Sequence, residues 1–184
     1  MAPVLATRRL RLRPWRAEDR PAFATMNADP EVMEFFPEAL STDASDALAV
    51  RLARDLEDRG YGMWAVEAPD RAPFLGCIGL QPVGFEAPFT PAVEIGWRLA
   101  RPFWGHGYAT EGATAALDLA FGELGQAEVV SFTSTLNRRS VAVMARLAMS
   151  HDPADDFDHP GLVEGDRLRR HALYRTDAER WRAR

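Results

Sequence analysis

Alternation of apolar and polar residues predicts a series of strands along the chain. Leu10 and Leu12 alternate with arginines in "RLRLRPW". In "AVEIGWRLA", the apolar residues between 93 and 99 share one strand face, and Glu94 and Arg98 lie on the other. The segments "GMWAVEA" and "PFLGCIGLQPV" flank the turn-rich "PDRAP", which predicts a hairpin. Two later segments, "AEVVSFTS" and "RLRRHALYRT", complete the predicted sheet.

Helical periodicity appears between these strands. Leu48, Leu52 and Leu56 are spaced four apart in "SDALAVRLARDLEDRG", which predicts a helix that stops at Gly60. A second apolar stripe predicts a helix over about 110–125. Shorter helices are predicted in "AEDRPAFATM" and "NRRSVAVMARLAM". Strands and helices then alternate, which indicates one α/β domain over residues 1–184 with a mixed, twisted sheet.

Composition narrows the classes of function. The chain has 184 residues and 47% hydrophobic content, enough to bury a substantial core. Its net charge of -5 and its pI near 5.4 disfavour a general nucleic-acid binder, which would show a basic face. No apolar run is long enough to cross a membrane, and the first 15 residues lack the apolar stretch of a signal peptide. We therefore expect a cytoplasmic protein with no nucleic-acid or membrane partner.

Cysteine and histidine usage argues against disulfides and metal sites. The single cysteine, Cys77, excludes an intramolecular disulfide framework. The four histidines are too scattered for a compact zinc motif. We therefore predict no metal.

The stretch "RPFWGHGYATEG" places two glycines and an alanine just before a helical run. The first turn of a helix leaves backbone N–H groups without partners and is electropositive, so it binds anions. Gly105, Gly107 and Ala109 would let an anion reach the backbone, with Trp104 and Tyr108 on its flanks. The alternative is a glycine-rich turn without a ligand. A P-loop needs a lysine that the chain lacks, and the dinucleotide fingerprint needs a third glycine at the right spacing.

Three segments in order, "VEIGWRL", "FWGHGYATEG" and "LNRRSVAVMARLAM", resemble the GNAT superfamily of acyl-CoA-dependent N-acetyltransferases, specifically its RimJ/RimL-like branch of N-terminal protein acetylases. The resemblance implies a mixed six- or seven-stranded sheet, splayed between its fourth and fifth strands and flanked by about four helices. It also implies acetyl-CoA as cosubstrate and an amine as acceptor. Two positions depart from the pattern. Trp104 stands where the superfamily prefers arginine or glutamine, and Ala148 stands where the branch has glycine.

The resemblance further implies which residues hold acetyl-CoA. The loop that opens the helix would bind the pyrophosphate, and the backbone of the preceding strand would pair with the pantetheine arm. Asn137 would contact the pantetheine, and Ser140 would lie near the thioester sulfur. The implied set is Trp97, Arg98, Leu99, Trp104, Gly105, His106, Gly107, Tyr108, Ala109, Thr110, Asn137 and Ser140.

Acetyl transfer to an amine needs a base and a proton donor for the leaving thiolate. Glu94 is the candidate base, acting through water, because burial on the strand before the loop would raise its pKa. The alternative is a surface carboxylate paired with Arg98 or a neighbouring residue. Ser140 is the candidate donor to the sulfur, and the alternative is a hydroxyl that bonds the helix terminus. Glu111 is interpreted as a first-turn carboxylate favoured by the helix dipole.

The acceptor is less constrained. Phe35 and Phe36 are expected to wall its site, and Asp155 and Asp156, in an acidic run, to attract a cationic amine. Roughly a third of α-amines are neutral at about pH 7.5, against about 0.1% of lysine side chains. A protein or peptide N-terminus is therefore the favoured acceptor. The alternatives are a small-molecule amine and a non-catalytic acyl-CoA-binding module, and the chain is expected to be a monomer or a homodimer.

Overall fold

A mixed sheet forms the scaffold of the protein. The computed structural model describes residues 2–184. In this part of the chain the sheet runs in the order β1-β2-β3-β4-β5-β6-β9-β7, with β8 also paired to β9. The strands are β1 (Leu5–Ala6), β2 (Arg11–Arg13), β3 (Met63–Ala68), β4 (Ala72–Pro82), β5 (Val93–Leu99), β6 (Glu128–Ser134), β7 (Ser150–His151), β8 (Phe157–Asp158) and β9 (Arg170–Asp177). The β5–β6 pair is parallel, and the other pairs are antiparallel.

Helices cover both faces of this sheet. Residues 2–184 contain α1 (Arg20–Ala28), α2 (Thr42–Arg59), α3 (Tyr108–Phe121), α4 (Arg138–Arg146) and α5 (Ala178–Arg182). At the start of α2, the Ser41 hydroxyl accepts a hydrogen bond from the Ala44 N–H. The helix ends at Gly60, which has a left-handed φ of 75°. The predicted stop at this glycine is confirmed.

Strands β5 and β6 diverge, and this divergence creates a gap in the sheet. β5 pairs with β4 along its whole length. With β6 it forms a single register pair, Glu94 opposite Val130. The predicted splay between the fourth and fifth strands therefore lies between β5 and β6, because the two-residue β1 adds one strand to the count.

The strand count and some helix boundaries differ from the prediction. The sheet has more strands than the six or seven expected because β1, β7 and β8 are two-residue pairings, too short for alternation to mark them. α3 occupies 108–121 instead of about 110–125, because Gly107 adopts a left-handed φ directly before it and Gly122 ends it. The five-residue α5 was not predicted, since so short a helix carries little periodic signal.

Opposite faces of the sheet pack against different helices. In β3, Trp64 belongs to the core under α3, and its neighbour Ala65 belongs to the core under α1 and α2. Cys77 of β4 lies on the α1–α2 face and opposite Arg98 in the strand register. The side chains of Arg98 and Glu94, four residues apart on β5, therefore face the α1–α2 layer.

A buried ion network ties β2 to the start of α1. Arg13 donates from Nη1 and Nη2 to the two carboxylate oxygens of Asp19, at 2.8 Å each. Its Nε donates to Glu67 Oε2 at 2.6 Å, and its Nη2 also donates to the Pro73 carbonyl at 2.8 Å. Each guanidinium nitrogen thus has an acceptor, which compensates the burial of the charge.

Candidate active site

A cleft of about 1130 Å³ opens where β5 and β6 diverge. Its walls come from β5, β6, the start of α4, the loop before α3 and the segment between α1 and α2. Most residues predicted for the site line this cleft. They are Phe35, Phe36, Glu94, Trp97, Arg98, Leu99, Trp104, Gly105, Gly107, Tyr108, Ala109, Thr110, Asn137 and Ser140.

The glycine loop before α3 has the backbone geometry of an anion site. Gly105 and Gly107 have φ values of 76° and 79°, in the left-handed region that favours glycine. A Cβ at Gly105 would meet nothing within 4 Å, and one at Gly107 would meet only Arg9 Nη2, at 3.5 Å. The first intrahelical bond runs from the Glu111 N–H to the Gly107 carbonyl, so the amides of 108–110 lack intrahelical acceptors. Open space beside free donors fits a bound anion such as a diphosphate.

Arginines flank this loop. The Arg9 guanidinium lies 4.7 Å from the Tyr108 ring centroid, and its Nε donates to Glu111 at 2.7 Å. Arg71 lies 3.4 Å from the Tyr108 hydroxyl. Glu111 lies in the first turn of α3, as interpreted, and it also accepts hydrogen bonds from Thr7 and Arg9. Burial opposes its ionisation, but hydrogen bonds from Thr7 and Arg9 lower its pKa overall.

The gap leaves part of the β5 backbone without a strand partner. The Ser131 hydroxyl donates to the Ile95 carbonyl at 3.0 Å, and the Trp104 indole donates to the Leu99 carbonyl at 2.7 Å. Between these two contacts, the edge of Trp97 that faces β6 forms no ladder pair. An extended ligand arm could pair with this edge as a strand would.

Glu94 lies on β5 at its register pair with β6, opposite Val130. Its side chain is partly buried, and its Oε2 accepts a hydrogen bond from Gln81 Nε2 at 3.0 Å. Gln81, and not Arg98, is therefore its partner. Burial raises the pKa of Glu94 to about 7, although the hydrogen bond from Gln81 opposes the rise. A carboxyl group with this pKa can take up and release a proton near neutral pH.

Asn137 positions Ser140 at the start of α4. The Asn137 Oδ1 accepts from the Ser140 N–H at 3.2 Å and caps the helix. Its Nδ2 donates to the hydroxyls of Thr133, at 3.0 Å, and Ser140, at 3.1 Å. Because the Ser140 hydroxyl accepts this bond, its own proton is available to another acceptor.

Aromatic rings wall one end of the cleft. Phe85 lies 5.6 Å from Phe132 and 4.7 Å from His159 between ring centroids. His159 and His171 are 5.0 Å apart. Burial lowers the pKa of both histidines, so their rings are neutral at neutral pH. This end is therefore an uncharged aromatic surface.

Three residues predicted for the site lie outside the cleft. His106 is exposed, and its Nε2 is 3.3 Å from Arg71 Nη2. Asp155 accepts from Arg175 at 2.9 Å. Asp156 bonds His151 at 2.8 Å. The acidic run folds back on β9 and its neighbours, so the geometry does not support contact between these aspartates and an amine in the cleft.

Two polar residues near the cleft, Gln81 and Asn27, were not predicted from the sequence. Gln81 faces Glu94 across the β4–β5 pairing, and the hairpin register could have revealed it. Asn27 is fully buried, donates to Ser45 at 2.9 Å and accepts from Arg98 Nη1 at 2.7 Å. Its partners are 18 and 71 residues away, so no local pattern indicates this role.

Residues 2–184 contain neither a reactive thiol nor a group of side chains that could bind a metal ion. Burial raises the pKa of the Cys77 thiol to about 11, which keeps it protonated. Over residues 2–184, no group of three or more His, Cys, Asp or Glu side chains could hold a metal ion. The helices of this range are also too short or too polar to span a bilayer.

Comparison with known proteins identifies the class. The family described as "Acetyltransferase (GNAT) domain" matches residues 9–150. The FsC-acetyl coenzyme A-N(2)-transacetylase of Aspergillus fumigatus is 34% identical over 97% of this chain and 78% of that protein. The solved acetyltransferase from Agrobacterium tumefaciens str. C58 has a TM-score of 0.75 and 28% identity, covering 96% of this chain and 95% of that chain.

A further solved structure has the same fold and contains coenzyme A. RimL, described as a ribosomal L7/L12 alpha-N-protein acetyltransferase in complex with coenzyme A, has a TM-score of 0.77 at 16% identity, over 97% of this chain and 99% of that chain. The chain belongs to the GNAT acetyltransferase family. It is an acetyl-CoA-dependent N-acetyltransferase.

Proposed function

We propose that this enzyme acetylates the α-amine of a peptide or protein N-terminus by direct transfer from acetyl-CoA, with Glu94 as the base. The observation that carries the proposal is the partly buried Glu94 carboxyl, whose pKa of about 7 suits proton removal from an amine near neutral pH. The motif resemblance to the RimJ/RimL-like branch supports the same acceptor class.

The loop before α3 and the edge of β5 hold the cosubstrate in this proposal. The amides of 108–110 would bind the diphosphate beside Gly105 and Gly107. The backbone of Trp97–Leu99 would pair with the pantetheine arm, since its β6-facing edge lacks a ladder pair. Acetyl-CoA supplies the activated acetyl thioester when it is bound.

The strand face between the loop and the base has room for the reacting groups. Gly96 lies on the same face as Glu94, and a Cβ added there would meet nothing within 4 Å. Glu94 takes a proton from the amine, through one water where the distance requires it. The Ser140 hydroxyl donates its proton to the thiolate sulfur that leaves, while Asn137 holds its oxygen.

An α-amine suits a base of this strength better than a lysine side chain does. The ordinary pKa of an α-amine is about 7.7–8.0, whereas that of lysine is about 10.4. The pKa of the Glu94 carboxyl, about 7, is therefore much closer to the pKa of an α-amine than to that of a lysine side chain.

A small-molecule primary amine is the second candidate acceptor. The relative that is 34% identical is named for transfer to an N(2) nitrogen of FsC, and its name does not mention a protein. The likeness to RimL, at 16% identity, supports the fold alone. The two candidates share the same base and the same cosubstrate site.

A thiol-release assay with acetyl-CoA tests the proposal. Short peptides with a free α-amine are compared with the same peptides blocked at the N-terminus but carrying lysine, and with polyamines and amino acids. We expect turnover of the free α-amine peptides above the hydrolysis background. Turnover restricted to small amines would support the second candidate, and no turnover with any amine would contradict both.

The cosubstrate site is tested with two matched glycine variants. Gly107→Ala and Gly125→Ala both place a side chain at a left-handed φ, and Gly125 is not part of the cleft. Both variants should lose similar stability from backbone strain. Only Gly107→Ala should weaken acetyl-CoA binding in calorimetry. Equal affinities in the two variants would contradict the assignment of the loop.

A further inference from the structure

The contacts of the Arg98 side chain are not explained by the part that its backbone is expected to play in the cosubstrate site. Its guanidinium faces the α1–α2 layer and lines the cleft. It forms no ion pair with any residue in 2–184, and its Nε is buried without a hydrogen-bond partner. The other unpaired arginines that line the cleft, Arg51, Arg138 and Arg146, are exposed, so water can hydrate them. Arg98 is partly buried and lacks that compensation.

The contacts of Arg98 leave one nitrogen of its guanidinium, Nη2, without a protein partner and open to the cleft. Nη1 donates to Asn27 Oδ1 at 2.7 Å, and Asn27 is fully buried and held by Ser45. Phe36 covers one face of the group, with its ring centroid 4.0 Å from the guanidinium carbon. Nε has no partner, and Nη2 has no hydrogen bond to the described residues. Nη2 is not among the fully buried atoms, so it is the nitrogen that can donate to a carboxylate in the cleft, whereas Nε is enclosed by the protein.

The side chain of Arg98 lies on the same strand face as the proposed base. Glu94, Gly96 and Arg98 alternate along β5, and the space above Gly96 is open. The Cα atoms of Glu94 and Arg98 are about 13 Å apart by strand geometry. A ligand with its amine near Glu94 could extend over Gly96 toward Arg98.

We propose that Arg98 determines acceptor specificity by binding a carboxylate that lies several bonds from the acceptor amine, in a subsite formed with Asn27 and Phe36. The inference rests on the proposed function and names the acceptor class more closely: a peptide with an acidic side chain several bonds from its N-terminal α-amine, for which ω-amino acids serve as small probes. A carboxylate there supplies the anion that the buried guanidinium lacks.

Matched acceptor pairs test this proposal in the thiol-release assay. 4-Aminobutyrate and 6-aminohexanoate are compared with their primary amides, and the peptide amide Ser-Glu with Ser-Gln. Each kcat/KM is corrected for the neutral fraction of its amine. We expect the acids to be preferred by about tenfold to a hundredfold, the range for a hydrogen-bonded charge.

Substitutions at Arg98 separate specificity from structure. Arg98→Met should abolish the preference for the acid while the KM for acetyl-CoA changes less than about twofold. Arg98→Lys should retain part of the preference, because it keeps the charge but not the planar fork. Arg170→Met, which removes an exposed arginine paired with Asp158, should keep the wild-type preference. Hexanoate should compete with the acceptor in the wild type, and hexanamide should not.

The possible outcomes are distinguishable. Equal rates for the two members of each pair, or a preference that survives in Arg98→Met, would overturn the carboxylate subsite and leave the acetyltransferase proposal intact. A large loss of acetyl-CoA affinity in Arg98→Met would place the side chain at the cosubstrate instead, which also overturns it. If no amine releases thiol from the wild type, the proposed function fails, and this inference fails with it.

Discussion

Two arginines of the same sheet differ in how completely the protein pairs their guanidinium groups. Arg13, on β2, donates to Asp19, Glu67 and two backbone carbonyls, so all three nitrogens of its guanidinium are satisfied by the protein. Arg98, on β5 in the cleft, has one amide partner, one aromatic neighbour and a buried Nε without an acceptor. The first arrangement is complete without a ligand, whereas the second is incomplete.

This contrast separates residues that stabilise the fold from residues available for binding. A buried charge with all its partners present contributes little to recognition, because a ligand would have to replace bonds that already exist. An incompletely paired charge on a preorganised strand can gain bonds when a ligand arrives. Glu94 shares this property, since its burial is only partly offset by Gln81.

The largest expected effect in the cleft concerns Glu94. Glu94→Gln should lower kcat by roughly 10²- to 10⁴-fold, because the base is lost while the shape is kept. With saturating acceptor, the wild-type kcat should rise with pH through about 7 as the carboxyl ionises. The variant should lack this limb of the profile. Unchanged turnover between pH 6 and pH 9 would reject Glu94 as the base.

On β2, the corresponding change should act on stability alone. Arg13→Met leaves Asp19 buried without its bidentate partner and should lower the free energy of unfolding by about 3–5 kcal/mol. Arg11→Met removes a half-exposed arginine that bonds the same Glu67 at 3.0 Å, and should cost less than about 1 kcal/mol. Urea unfolding measures both, and kcat per folded molecule should stay near the wild-type value. Equal losses in the two variants would contradict the distinction.

Glu94 should also make stability depend on pH in a predictable direction. Its pKa is about 7 in the folded protein and near 4.5 when unperturbed, so the folded state binds the proton more tightly. The associated stability is present below about pH 4.5 and is lost as pH rises through 7. Glu94→Gln does not titrate and should be more stable than the wild type at pH 8, by roughly 1–3 kcal/mol.

Thermal or urea unfolding at the two ends of this pH range measures the effect. The difference between Glu94→Gln and the wild type should be small near pH 4.5 and favour the variant at pH 8. A difference that does not change with pH would mean that the carboxyl is not desolvated in the folded protein.

The smallest expected effect lies outside both regions, at the end of α4. Ala148 has a φ of 56°, in the left-handed region, and the Met149 N–H bonds the Met144 carbonyl as in a Schellman motif. Ala148→Gly should relieve this strain and raise stability by about 0.5–1 kcal/mol. Ala145→Gly, inside the helix, should lower stability by a similar amount. A loss of stability in both variants would contradict the strain at 148.

Much of the cleft was predictable because short stretches of sequence mark the elements that form it. The glycines before α3 mark a backbone conformation, and alternation along β5 places Glu94 on a polar face. The acidic run illustrates where this reasoning ends. Asp155 and Asp156 were expected near the acceptor, but pairing with Arg175 and His151 holds them outside the cleft. The choice of partner depends on which distant segments meet, and a charge pattern does not contain that information.

Periodicity and neighbouring residues are enough to predict the order of strands and helices, the glycine loop and the strand that carries the candidate base. The environment of each charge, in contrast, is set by the packing of distant segments. This packing encloses Arg13 among carboxylates and leaves Arg98 with Asn27 and Phe36, although both arginines lie in similar strand patterns. The physical reason is that burial and ion pairing are long-range properties, fixed only when residues far apart in the chain pack together.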